Sequence, residues 1–252
     1  MSFLSTSTFE LGFALVTAHL VGDYVLQTDR MAQSKYRWSV LLVHGLLQGA
    51  VAYLLAGRWV AWELFVVTSL THVLIDRARI SFRGGRSIAL AVDQVAHFAV
   101  VGGLVFMSDS AQAWSAGTVW FGSSYLRFLV VIAGAVLCVR VAGVVIGYWV
   151  HPYLTEIEQK RSADSAAPSN RGLTNGGRVI GQWERALIFI FIGLGQTGAV
   201  GFLVAAKSIF RFGELKDREN RMEAEYITIG TLMSFGWATV VAHATWWLWA
   251  RL

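Results

Sequence analysis

The sequence predicts an all-α fold, a polytopic membrane helical bundle with about seven hydrophobic segments, and three observations lead to this class. The 252 residues are 55% hydrophobic and only 15% charged, which is far less charge than a soluble domain of this length exposes. Their mean hydropathy is +0.53. Apolar runs close to the roughly 20 residues that a helix needs to cross a bilayer recur along the chain. Since lipid offers the backbone no hydrogen-bond partners, such runs are predicted to be helices.

The predicted segments are, in order, Phe9–Gln27, Trp38–Leu55, Val60–Ile80, Ile88–Met107, Tyr125–Val150, Trp183–Ala206 and Tyr226–Leu248. The first four are joined by short loops, which predicts an antiparallel bundle. The sixth is rich in glycine and is either re-entrant or a full span, so six or seven spans are expected. Two regions follow from this pattern: a four-helix membrane core in residues 1–107, and a C-terminal membrane region in 108–252 with a flexible polar loop at about 152–181.

Arginine and lysine predict the orientation, because cytoplasmic loops carry an excess of them. The loops after the first and third segments are basic, through Arg30, Lys35, Arg37, Arg77, Arg79, Arg83 and Arg86. These loops are therefore expected on the cytoplasmic side and the N-terminus outside. The net charge of +5 lies in such loops, so it favours membrane lipid headgroups as partners and not nucleic acid.

Histidine and aspartate recur at one depth in the first four segments. Three segments hold both residues four positions apart, and one holds a histidine alone: His19 with Asp23, His72 with Asp76, Asp93 with His97, and His44. Residues at i and i+4 share a helical face and lie roughly 6 Å apart along the axis. The order reverses in the fourth segment. In an antiparallel bundle this places the aspartates in one layer and the histidines one turn deeper.

Aspartates at this depth cost about 2.5–3.5 kcal/mol each, so they need partners, water or a function. Three interpretations remain open: Asp–His hydrogen bonds between helices, a polar transport path, and a metal site. Nitrogen and oxygen donors without sulfur suit zinc, manganese or iron, and the single Cys138 excludes a thiolate-rich site. All seven residues are candidate ligands for one or two metals, or orienters of ligands. Asp76, Asp23 and His44 are the candidate catalytic groups.

Other polar residues lie near the same face, and we expect them to bind substrate: Arg77, Arg79, Lys35, Gln27 and Gln94. The two arginines could bind a phosphate, although topological anchoring is the preferred interpretation for most of the arginines in these loops. Gly45-x-x-x-Gly49 and Gly143-x-x-x-Gly147 are typical of close helix packing.

These motifs resemble a known family. The run from His19 to Asp29 (HLVGDYVLQTD), together with Lys35, His44, His72-Val-Leu-Ile-Asp76 and Asp93-Gln-Val-Ala-His97, is similar to bacterial membrane proteins catalogued as domain of unknown function 3307. The resemblance implies a multi-pass protein of the bacterial inner membrane, and the family name specifies no activity. A looser similarity to YdjM-type proteins, predicted to be membrane-bound metal-dependent hydrolases, is an analogy of layout.

Three functions are expected from these residues. The first is a metal-dependent hydrolase acting on a lipid or lipid-linked phosphoester at the cytoplasmic leaflet, because a metal activates water and polarises a phosphoryl oxygen. The second is a cation or proton transporter or channel, although the outer half of the bundle offers no matching polar residues. The third is a non-catalytic module with a structural metal, whose basic loops recruit a soluble cytoplasmic partner. The oligomeric state is left open, with a homodimer as one option.

Overall fold

The structure is a computed structural model, and it describes residues 6–82, 84–107, 116–122, 124–163, 175–212 and 221–252. Every regular element in these ranges is helical. The elements are α1 (Thr6–Val21), a π-helical turn (Gly22–Leu26), α2 (Asp29–Gln33), α3 (Trp38–Ala56), α4 (Trp62–Ser81), α5 (Arg86–Met107), α6 (Ala116–Phe121), α7 (Ser124–Val136), a second π-helical turn (Leu137–Val141), α8 (Ala142–Ala163), α9 (Gly176–Gly193), α10 (Thr197–Phe212) and α11 (Arg221–Trp249). The predicted all-α class is confirmed.

Within the described residues, five stretches are long and apolar enough to cross a membrane: Thr8–Leu26, Trp38–Ala56, Ser87–Met107, Ser124–Lys160 and Met222–Trp249. They confirm a polytopic helical bundle. The third predicted segment forms α4, whose second half carries His72, Asp76 and the arginines and is therefore less apolar. The sixth is divided between α9 and α10.

The first compact unit comprises Met1–Val136 and Leu248–Leu252. In this unit α3 packs against α1 and α4, and α5 packs against α1 and α4. Small and aliphatic side chains fill its core, namely Leu11, Leu15, Ala18, Ala52, Ala56, Ala61 and Leu64. The unit extends beyond residue 107 because α7 also packs on α1. Leu129 is fully buried against Ala14, and Thr17 Oγ1 donates to the Leu129 carbonyl at 3.4 Å.

Helices α3 and α4 approach closely at two glycines of α3. A Cβ on Gly45 would lie 2.3 Å from Val73 Cγ2 and 2.9 Å from the Ser69 carbonyl oxygen. A Cβ on Gly49 would lie 2.0 Å from Ser69 Oγ. Since real Cβ contacts are never this short, only glycine permits this separation of the two backbones.

The second compact unit comprises Leu137–Trp247. Its α9 and α10 form an antiparallel hairpin with a tight turn at residues 194–196, because Lys207 Nζ on α10 lies 2.5 Å from Glu184 Oε2 on α9. The sixth predicted segment is therefore two helices, which agrees with the re-entrant interpretation and not with one full span. The two ends of the loop predicted at about 152–181 are helical in the structure, since α8 continues to Ala163 and α9 begins at Gly176. Residues 164–174 lie outside the described residues.

Candidate metal centre

A π-helical turn at the end of α1 presents the first carboxylate. The amide of Gln27 donates to the Gly22 carbonyl at 3.0 Å, which is the i→i+5 bond of a π-helix, and such turns are frequent at functional sites. Gly22 leaves room for the end of the Gln48 side chain, since Gln48 Oε1 lies 1.4 Å from the ideal position of a Cβ and would have to move if a side chain were added there. The turn directs Asp23 toward α3 and α4.

Four donor atoms from three elements meet beside this turn. His72 Nε2 lies 3.0 Å from His44 Nε2, and Asp23 Oδ1 lies 3.2 Å from each of these nitrogens. Asp76 Oδ2 lies 3.7 Å from both. His44, His72 and Asp76 are almost fully buried. We call these four residues the four-donor set.

Within the four-donor set, the atoms of Asp23, His44 and His72 have a spacing close to that of ligands on one metal ion. Donors about 2.0–2.2 Å from a tetrahedral zinc ion stand about 3.3–3.6 Å from one another. The three separations among these atoms are 3.0–3.2 Å, and Asp76 Oδ2 lies beside them, 3.7 Å from each histidine nitrogen. Hydrogen bonds alone satisfy the site poorly. His44 Nε2 also has Gln27 Nε2 at 3.2 Å, yet an imidazole nitrogen carries one proton or one lone pair and serves one neighbour. A cation shared by the donors would satisfy them together.

Lys35 reaches the set from the short connection between α2 and α3. Its Nζ lies 2.6 Å from Asp76 Oδ2, and its side chain is 15% exposed while that of Asp76 is 2% exposed. Lys35 therefore links the buried carboxylate to the solvent-facing edge of the unit. Gln27 contacts the set at the same edge, through His44.

A second group of donors lies on α5, next to Asp76. His97 Nδ1 donates to the Asp93 carbonyl at 2.9 Å, which leaves a lone pair on Nε2. Asp93 Oδ2 accepts from Arg79 Nη1 at 3.0 Å and from Gln94 Nε2 at 3.1 Å. His97 Nε2 and Asp93 Oδ1 are buried and have no hydrogen-bond partner among the described residues. One ligand atom each from Asp76, Asp93 and His97 lie within 4.8 Å of one another.

His19 is held by two amides. Gln94 Nε2 donates to Asp93, so Gln94 Oε1, 3.2 Å from His19 Nε2, accepts the proton of that nitrogen. His19 Nδ1 then accepts from Gln48 Nε2 at 3.4 Å. Both ring nitrogens are thereby engaged, and His19 stacks on His97 with ring centroids 4.8 Å apart. This geometry suits an orienting role for His19 better than that of a ligand.

The structure thus brings all seven predicted candidates into one cluster, within the reach of single hydrogen bonds and ring contacts. The predicted phosphate-binding arginines are placed differently. Arg79 pairs with Asp93, and Arg77 lies over the ring of Trp38, 5.4 Å from its centroid. Sequence reasoning missed Gln48, which is 1% exposed and bonds to His19. The sequence did indicate Gln48, because it lies four residues after His44 and therefore on the same face of the helix.

At the opposite end of this unit, two charged residues are buried. Glu10 is 9% exposed and Arg58 is 8% exposed. Burial lowers the pKa of the Arg58 guanidinium, and the nearby Glu10 carboxylate opposes that shift. The sequence predicted no matching polar residues in the outer half of the bundle, but these two charged residues lie there. One acid beside one base is nevertheless a different arrangement from the His/Asp cluster.

Comparison with known families connects this cluster to the earlier resemblance. Residues 11–122 match the family described as "Protein of unknown function (DUF3307)". This segment is a DUF3307 domain. All seven histidines and aspartates of the cluster lie inside it, together with α2 to α6. No curated protein and no solved structure matches the chain, so the looser likeness to YdjM-type proteins stays a prediction.

Proposed function

We propose that the DUF3307 domain holds a divalent metal, zinc, manganese or iron, and hydrolyses a lipid or lipid-linked phosphoester. The proposed location is the cytoplasmic leaflet of the bacterial inner membrane. The observation that carries this proposal is the four-donor set. Two imidazole nitrogens and one carboxylate oxygen at 3.0–3.2 Å, with a second carboxylate oxygen 3.7 Å from both nitrogens, offer the ligand types of such an ion and a spacing close to the one it needs.

A metal in this set would make water acidic enough to ionise near neutral pH and would polarise a phosphoryl oxygen. The chain itself supplies the proton acceptor. Asp23 enters the four-donor set through Oδ1, and its Oδ2 lies 3.9 Å from His19 Nε2. We assign this second carboxylate oxygen as the group that takes a proton from the attacking water. Asp76 and His44 are the alternative proton acceptors.

Lys35 would bind the anionic part of the substrate. Its ammonium group stands between Asp76 and the open edge of the unit, so a phosphate arriving at that edge meets a positive charge. Trp38 is 57% exposed and stacks with Arg77. A tryptophan beside an arginine is typical of the membrane–water boundary, which is where the headgroup of a lipid substrate lies.

A cation or proton transporter is the second candidate, and a cavity beside the cluster favours it. His19, His72 and His97 line this cavity together with Thr68 and Thr71. Aliphatic side chains, among them Leu15, Val101 and Leu104, make up much of the remaining wall. An apolar wall is a poor continuation for a cation, so we rank hydrolysis first. A non-catalytic module with a structural metal, whose basic loops recruit a soluble partner, is the third.

The test is metal content and turnover of the purified full chain. Asp76→Asn is nearly isosteric and should insert and fold, but it should lose both the bound metal and the hydrolysis of phospholipid or lipid-linked phosphate in a broad substrate screen. His243→Ala is the matched control, because His243 is exposed on α11. Metal-free wild type would refute the metal centre. Metal-loaded wild type without turnover, combined with Asp76-dependent cation flux into proteoliposomes, would establish the transporter instead.

A further inference from the structure

We infer that the centre is dinuclear, with a second divalent cation held by Asp76, Asp93 and His97 beside the ion of the four-donor set. Asp76 would be shared by the two ions. This inference rests on the metal binding of the proposed function and not on hydrolysis. It assigns a role to atoms that the first ion leaves without a partner.

The two α5 residues are oriented as metal ligands are. A ligating histidine almost always donates its other ring nitrogen to a carbonyl or carboxylate, which fixes the ring and the free lone pair. His97 does so through Nδ1 to the Asp93 carbonyl, and its Nε2 is buried and without a hydrogen-bond partner among the described residues. An unpaired buried nitrogen is destabilising, and a bound cation removes that cost.

Asp93 is oriented in the same manner. Arg79 and Gln94 both bond to Oδ2, while Oδ1 has no hydrogen-bond partner in the part of the chain described. The Asp93 side chain is only 1% exposed. Carboxylates that bind a metal are themselves hydrogen-bonded by neighbouring groups. Asp93 has this arrangement, because one oxygen is fixed by two donors and the other oxygen is free to bind a metal.

The geometry makes this second site an open one. The ligand atoms of Asp76, Asp93 and His97 lie within 4.8 Å of one another. Two donors on one ion at about 2.1 Å stand no more than about 4.2 Å apart, so donors within this limit need little movement to bind one ion. Three protein ligands leave coordination positions for other molecules, as in catalytic sites and unlike closed structural ones.

Charge identifies the ligand that would fill those positions. The cluster holds the carboxylates of Asp23, Asp76 and Asp93, which Lys35 and Arg79 partly neutralise. Two divalent ions would make the whole centre positive, so an anion is favoured at the open positions. A phosphate group bridging two ions about 3.5–4 Å apart is the arrangement of two-metal phosphoester hydrolysis. Binding of the second ion and of phosphate should therefore strengthen each other.

The experiment is a titration of the full chain in detergent with Mn²⁺, with and without inorganic phosphate. We expect two ions per chain, a magnetically coupled pair by electron paramagnetic resonance, and tighter binding of the second ion in phosphate. Asp93→Asn and His97→Ala should each retain one ion and lose the coupling. His243→Ala should keep both, and it is closely matched because His243 Nδ1 makes the same bond to a carbonyl four residues earlier, at 2.9 Å.

One ion per chain in wild type, or two uncoupled ions, would overturn the inference. So would wild-type stoichiometry in both α5 variants. The wild-type measurement decides without the variants if either fails to fold, which circular dichroism and gel filtration detect. The two proposals fail separately: a coupled pair without turnover leaves the dinuclear centre intact, whereas turnover with a single ion leaves the hydrolase intact.

Discussion

His44 Nε2 on α3 and His72 Nε2 on α4 lie 3.0 Å apart, at the interface where two glycines of α3 let the helices approach. Two imidazole nitrogens this close need a shared proton or a shared cation between them, because two lone pairs would repel. The distance is set by the backbones, which Gly45 and Gly49 allow to meet. Helix packing and the chemistry of the centre are therefore coupled through one interface.

The first prediction tests this coupling with Gly45→Ala. The new Cβ would collide with Val73 Cγ2 at 2.3 Å and with the Ser69 carbonyl at 2.9 Å, so α3 and α4 must separate. We expect a loss of about 1–3 kcal/mol of stability, typical of overpacking, and weaker metal binding, both measured by thermal unfolding with and without Zn²⁺. Gly103→Ala is the control, because a Cβ there meets nothing within 4 Å. Identical behaviour of the two variants would contradict the coupling.

The second prediction concerns the amide that connects His19 to Asp93. Gln94→Leu removes the acceptor for His19 Nε2 and one donor to Asp93 Oδ2, while the volume is nearly kept. Loss of such an outer-shell partner typically costs 10–100-fold in metal affinity, and we expect that range in a competition assay with a chelating dye. Gln196→Leu, in the exposed turn between α9 and α10, should change nothing. An unaltered affinity in Gln94→Leu would remove Gln94 from the centre.

Local periodicity explains how much of the centre could be predicted. Residues at i and i+4 share a face in any α-helix, so the pairs beginning at His19, His72 and Asp93 revealed their common layer without a structure. The partners across helices were not predictable in this way. That His44 bonds to Asp23, and that His19 is enclosed by two glutamines, depends on the rotation of each helix about its axis and on a π-helical turn that widens the helix at Gly22.

The Gly-x-x-x-Gly spacing predicted close helix packing at two places, and the structure shows it at only one of them among the described residues. Gly45-x-x-x-Gly49 marks a close helix contact, as predicted. At Gly147 a Cβ would meet nothing within 4 Å among the described residues, and at Gly143 it meets only the Arg185 side chain at 3.2 Å. The same motif therefore has different meanings in α3 and α8, because the spacing reports that an approach is permitted and not that a partner helix is there.

The third prediction tests the orientation derived from the basic loops. Cysteines replacing Arg37, before α3, and Val60, which is 82% exposed beyond the other end of α3, should differ in intact cells. Val60→Cys should react with an impermeant thiol reagent, and Arg37→Cys should react only after the membrane is opened. The native Cys138 is buried, so background labelling is low. The reverse pattern would move the centre to the outer leaflet and remove a cytoplasmic substrate. Arg83, also counted for the orientation, lies outside the described residues.

The fourth prediction follows from the hairpin of α9 and α10. Basic stretches lie before α9 and after Lys207. A single span between them would place them on opposite sides of the membrane, which conflicts with the positive-inside rule. The Glu184–Lys207 ion pair holds the two helices antiparallel, so the outer ends of α9 and α10 lie on one side. By the positive-inside rule that side is predicted to be the cytoplasm. Cysteines at Val179 and Ile209, which are 48% and 68% exposed, should therefore label only after permeabilisation.

The control for the hairpin is the accessible Val60→Cys variant, which confirms that the reagent reaches the outer face. Breaking the ion pair gives a second measurement. Lys207→Met leaves the Glu184 carboxylate, 11% exposed, without this partner. The Glu184→Gln/Lys207→Met double variant removes both charges, and a coupling of about 0.5–3 kcal/mol is expected from the cycle. If Val179→Cys and Ile209→Cys label from opposite sides, α9 and α10 cannot form this hairpin in the membrane, and one continuous span must replace it.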